Sequence, residues 1–125
     1  MPYWELSKSY RFEASHQLPH HDGKCNSLHG HSWVLTITIK ASKLNDSGPQ
    51  NGMVMDYGRM NLIVNHLIDE LDHNHLNLIL ENPTSENLAE YIFNNLYLKF
   101  LEKKIILVCV EINETCSSGV KYYGN

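Results

Sequence analysis

The chain has 125 residues, 42% hydrophobic and 19% charged, with a formal net charge of −4. That length and balance predict one ordinary soluble domain over residues 1–125, able to bury a core without staples; the charge argues against non-specific nucleic-acid binding. No apolar run is long enough to cross a membrane, and Met1-Pro2 leads into strand-like sequence rather than a signal peptide, so a cytoplasmic location is expected.

From Tyr3 to His16 the aromatic and small residues read as a strand. Residues 32–43, "SWVLTITIKASK", alternate cleanly: Trp33, Leu35, Ile37, Ile39 and Ala41 share one face, and Val34, Thr36, Thr38 and Lys40 the other. The turn-rich "NDSGPQNG" ends that strand. Asp56 is then placed to cap a helix reaching Leu71, whose Met60, Ile63, Val64, Leu67, Ile68 and Leu71 recur at helical spacing. "NHLNLILENP" reads as a connector. Thr84 caps a second helix with Leu88, Ile92, Leu96 and Phe100 as its apolar stripe and Lys103 and Lys104 at its C-terminal end. "IILVCVEINET" is a third strand and "GVKYYGN" a short fourth. The order β-β-α-α-β-β predicts an α+β fold, with two helices on one face of a four-stranded antiparallel sheet. Such a sheet leaves one face and two edges open, which favours oligomerisation.

The chemistry concentrates in "KCNSLHGHSW". Residues two apart on a strand point the same way, so His29 and His31 can aim two imidazoles at one ion, and Gly30 between them allows close backbone approach. "FEASHQ" supplies His16 as a third donor at the end of a strand able to pair with the second. Three neutral imidazoles with one open position describe a catalytic Zn²⁺ site rather than a closed structural one. Cys25 stands as either a fourth ligand or a reactive thiol; beside a dication, a thiol suits a base or nucleophile.

A second cluster, "ELDHNHLN", sets Asp72 beside His73 at a helix end, where a carboxylate can orient an imidazole for proton transfer. His20, His21, His66 and His75 lack such pairing and read as surface or loop residues. Glu114 ends the third strand, where a carboxylate can accept two parallel N–H bonds from an amidine-like edge. Glu111 reads as a solvated strand residue, Cys109 as a buried one and Cys116 as a turn thiol. With Cys25 they make three cysteines, too few and odd in number for a disulfide scaffold, so all are read as free.

"FEASHQLP", "KCNSLHGHSW", "GMVMDYGRM", "LDHNHLN", "NPTSENLAEYI" and "ETCSSGVKYYG", in that order, resemble the 6-pyruvoyltetrahydropterin synthase superfamily. The likeness is greater to its 6-carboxytetrahydropterin synthase branch, because only three residues separate Cys25 from His29 and the ending is "ETCSSG". The resemblance implies a tunnelling fold (T-fold), with trimers stacked into a homohexamer and active sites between subunits. It implies Zn²⁺ on His16, His29 and His31, Cys25 as the catalytic thiol, Asp72-His73 as its partner dyad, and Glu114 anchoring the pterin ring. The implied substrate is the small molecule 7,8-dihydroneopterin triphosphate. The implied reaction releases acetaldehyde and triphosphate, early in queuosine and deazapurine biosynthesis, with no contact to nucleic acid or membrane. Gln17 departs from the arginine of many relatives, which leaves Lys24 or Arg11 as candidates for the phosphates, and Trp33 replaces the commoner Tyr or Phe. The alternatives are the same fold stopping at 6-pyruvoyltetrahydropterin, and a non-catalytic zinc-stabilised module. A zinc hydrolase ranks below both, because it has no use for Cys25 and the chain lacks an H-E-x-x-H helix.

Overall fold

Two long strands, β1 (Trp4–His16) and β2 (His29–Ala41), pair antiparallel along their whole length in a computed structural model that describes residues 2–124. Their alternation sets the architecture. Phe12 on β1 and Trp33, Leu35, Ile37 and Ile39 on β2 are buried, while Ser7, Ser9, Arg11 and Glu13 face outward. A fully buried Leu or Ile is worth about 1.5–3 kcal/mol relative to exposure, so this face fixes the register.

Helix α1 (Tyr57–Leu71) begins where the Asp56 carboxylate accepts the Arg59 N–H at 3.3 Å. Met60, Val64, Leu67, Ile68 and Leu71 are buried, and α1 packs against β1; Ile63, expected in the stripe, is only partly buried. Helix α2 (Ser85–Leu101) begins where the Thr84 hydroxyl accepts the Asn87 N–H at 3.1 Å, and it packs on the last two strands, β4 (Ile106–Thr115) and β5 (Ser118–Tyr122). The caps and apolar stripes therefore fall where the sequence puts them. Asn125, the end of the predicted fourth strand, lies outside the described residues.

The predicted four-stranded antiparallel sheet needs one correction. The connector after α1 contains a two-residue strand, β3 (Asn74–His75), which runs parallel to β1 beside Ala14 and Ser15. The sheet is therefore five-stranded and mixed, in the order β3-β1-β2-β4-β5. Two residues carry no periodicity, so nothing in the pattern announces this strand. Both predicted long strands also shift slightly, β1 starting at Trp4 and β2 at His29 rather than Ser32.

Candidate metal centre and active site

The β1–β2 register places His16 directly opposite His29, and His31 opposite Ala14. His16 shares the buried face of Phe12 and Ala14, and His29 and His31 that of Trp33, so all three imidazoles gather at one end of the sheet. Their ligand atoms lie within 4.8 Å of one another. The Trp33 indole forms the floor, edge-on to His16 and His31 with centroids at 5.1 and 5.2 Å, and is held by its N–H donating to the Ala14 carbonyl at 3.1 Å.

Backbone acceptors orient two of the rings. His16 Nδ1–H donates to the Pro83 carbonyl at 2.7 Å, and His29 Nδ1–H to the Ser27 carbonyl at 2.7 Å. Each bond leaves Nε2 with a free lone pair, the tautomer that a metal ligand requires. His16 Nε2 and His31 Nε2 are buried without a hydrogen-bond partner. Glu114 Oε2 lies 3.3 Å from His31 Nε2, within ion-pair range but outside hydrogen-bond geometry. A buried polar atom left unpaired costs about 1–3 kcal/mol, and a shared cation would remove both deficits at once. Burial lowers the His16 pKa, opposed by the Pro83 carbonyl and the Glu114 charge, and so favours the neutral, ligating form. The residues present fit a metal ion, and an all-imidazole set suits zinc.

Glu114 is held from the other side by Ser85, whose hydroxyl donates to Oε1 at 2.5 Å. Ser85 opens α2, so the helix start both fixes this carboxylate and, through Pro83, orients His16. The sequence singled out neither Ser85 nor Pro83; "NPTSEN" announces a helix cap, and the cap was its only legible role.

Asp72 and His73 leave the end of α1 and are tied to β1: Asp72 Oδ1 accepts the Glu13 N–H at 2.8 Å, and Asp72 Oδ2 lies 3.1 Å from His73 Nδ1. The Glu13 N–H, followed by His73, lowers the Asp72 pKa and keeps it ionised. His73 has φ 56, a left-handed backbone that an L-residue with a Cβ adopts at a penalty of about 1–2 kcal/mol. Its side chain is 79% exposed, so no packing holds it there. Replacing His73 with glycine should leave the melting temperature unchanged or higher in a thermal scan and lower turnover about 100-fold if the ring transfers a proton. His75, read as a loop residue, instead sits on β3 with its Nδ1 3.0 Å from the Ser15 hydroxyl. An open cleft of about 580 Å³ has both His31 and His73 in its walls, together with Glu13, Ser32 and His75.

Cys25 occupies a short 3-10 turn, Lys24–Asn26, and is half-buried and unpaired by disulfide. Its carbonyl accepts the Leu18 N–H at 2.9 Å, which closes the loop between β1 and β2. The thiol belongs neither to the three-imidazole group nor to the walls of the His31–His73 cleft. Cys109 is buried and Cys116 exposed, and both are free, as expected from the sequence.

Residues 5–125 match the family described as 6-pyruvoyl tetrahydropterin synthase. A 6-carboxy-5,6,7,8-tetrahydropterin synthase of Synechocystis sp. is 42% identical over 96% of this chain and 93% of its own length. One from Rickettsia typhi is 32% identical over 83% and 88%. The solved 6-pyruvoyl tetrahydropterin synthase of Caenorhabditis elegans superposes with a TM-score of 0.83 at 27% identity, covering 100% of this chain and 98% of that one.

Proposed function

We propose a reaction on the premise that the chain belongs to the 6-pyruvoyl tetrahydropterin synthase family, in its 6-carboxytetrahydropterin synthase branch. It converts 7,8-dihydroneopterin triphosphate and water to 6-carboxy-5,6,7,8-tetrahydropterin, acetaldehyde and triphosphate, a step toward queuosine and other deazapurines. The observation that carries this reading is the convergence of His16, His29 and His31, two of them with buried, unpartnered Nε2 atoms, in a chain 42% identical to a relative of that name.

His16, His29 and His31 would hold the ion. When bound, zinc would supply Lewis acidity to the hydroxyl oxygens of the substrate side chain. Cys25 takes a proton from a hydroxyl-bearing side-chain carbon. His73, oriented by Asp72, carries the second proton, and triphosphate leaves by elimination. Water then cleaves the side-chain carbon–carbon bond, its oxygen staying on the ring-side carbon as the carboxylate while the two-carbon fragment takes up a proton and leaves as acetaldehyde. Glu114 accepts the 2-amino and N3 hydrogens of the pterin; the Ser85 hydroxyl already fixes the plane of that carboxylate. Such positioning is worth up to about 7–11 kcal/mol in the best intramolecular reactions.

Cys25 does not line the cleft that His31 shares with His73. This supports an active site completed between subunits, where the thiol of one protomer meets the dyad of its neighbour. The edges at β3 and β5 suit closure into a ring, and the homohexamer of two stacked trimers that the family resemblance implies is the assembly we propose.

The zinc-loaded protein incubated with 7,8-dihydroneopterin triphosphate should release acetaldehyde in step with triphosphate. Triphosphate without acetaldehyde would instead assign the 6-pyruvoyl product, with elimination but no carbon–carbon cleavage.

A further inference from the structure

A second concave site lies at the opposite end of the sheet. Its cavity of about 680 Å³ reaches Ala41, the last residue of β2, whereas His29 is the first. Twelve residue steps of strand separate them, about 40 Å. The volume lies in the range of small-molecule pockets, about 300–1,000 Å³.

Its walls divide by chemistry. Leu44, Val54, Met55, Ile63 and Ile105 form an apolar floor, with Val54, Met55 and Ile105 buried. Lys43, Arg59, Lys103 and Lys104 form the rim, against one carboxylate, Asp46. Four of the chain's 10 cationic side chains thus gather at one cavity of a protein with net charge −4. None of the four has a carboxylate partner within 4.0 Å among the described residues, where every ion pair involves a histidine.

Lys104 supplies an independent observation. The Lys104 N–H donates to the Leu101 carbonyl at 2.9 Å and the Ile105 N–H to the Phe100 carbonyl at 3.1 Å, the closure that ends many helices. The position between these bonds requires a left-handed backbone, and Lys104 adopts φ 62. Glycine is the residue that fits there without strain; a lysine stands in its place and borders the cavity.

We propose that this cavity binds a small organic phosphate: a dianionic head at Lys43, Arg59, Lys103 and Lys104, with an apolar or planar body on the Leu44–Val54–Met55 floor. A phosphate suits the site better than a single carboxylate. Several cations are present to share its charge, and the Arg59 fork matches phosphate oxygens. The site is separate from the imidazole centre and does not depend on the reaction assigned to it.

The test is calorimetric titration of the metal-loaded protein with adenosine 5′-monophosphate and with hexyl phosphate. Adenosine, hexanol and inorganic phosphate serve as the counterparts lacking head or body. Saturable binding of at least one phosphate, weakened by salt and about tenfold tighter than its counterparts, is the expected result. The tighter of the two phosphates tells whether a planar or an aliphatic body is preferred. Lys104→Gly should weaken binding about tenfold while the melting temperature holds or rises and pterin turnover is unchanged; Arg59→Gln should weaken it similarly. No saturable binding by either phosphate would overturn the proposal. So would inorganic phosphate binding as tightly as both, or affinities indifferent to both substitutions.

Discussion

Replacing Cys25 with alanine should leave the fold and the bound metal in place and lower turnover about 100- to 10,000-fold, the range attached to a positioned proton-transfer group. The side chain is half-buried in a short turn and is absent from the hydrophobic core, so the truncation opens no large cavity. The turn is held through its backbone, by the Leu18 N–H on the Cys25 carbonyl and the Ser27 N–H on the Lys24 carbonyl, and both bonds survive the substitution. Elemental analysis for metal and acetaldehyde release for turnover separate the two roles open to the thiol. Retained zinc with lost turnover assigns the sulfur to chemistry. Zinc lost together with the thiol would make Cys25 a fourth ligand and close the centre, and the non-catalytic module would then be the better reading.

The sequence displayed most of the fold because its patterns are long. Thirteen residues of alternation in β2, with Trp33, Leu35, Ile37 and Ile39 at 0% exposure, leave one register that buries them all. Asp56 and Thr84 mark helix starts because a side-chain oxygen there satisfies a backbone N–H that the helix leaves free. The short β3 escaped because its pairing is a tertiary event: Asn74 and His75 become a strand only when the end of α1 delivers them to β1 beside Ala14 and Ser15.

The convergence of the three imidazoles was legible for a related reason. Two histidines on one strand and one at the end of its partner need only the hairpin register to meet, and that register follows from the core. What orients them was not legible. Pro83 is 67 residues from His16 in sequence, and its carbonyl is a backbone group that every residue carries. Ser85 and Glu114, 29 residues apart, likewise meet only because α2 packs on β4. The Asp72–His73 pair was visible as adjacent residues, but the strained φ of His73 was not, since histidine does not advertise a left-handed backbone as glycine does.

His29→Ala should release the metal and reduce turnover to background while leaving the far-ultraviolet circular dichroism unchanged. Losing one of three imidazoles should cost more affinity than the roughly 10- to 100-fold typical when a group that merely orients a ligand is removed. His29 is the informative member of the set. It lies at the first residue of β2, half-buried, and its ring donates to the neighbouring Ser27 carbonyl. His16 is fully buried against Trp33, so its removal would damage packing as well as coordination. The hydrophobic core runs through β1, β2, β4 and both helices, so the secondary structure does not rest on the ion, which would add stability only by pairing the two buried imidazole nitrogens. Chelation of the unmodified protein should give the same result: activity lost, secondary structure kept, and activity restored by zinc. Unfolding in either experiment would mean that the cation holds the chain together. Unfolding on chelation with activity indifferent to Asp72→Asn would go further and remove the catalytic reading altogether.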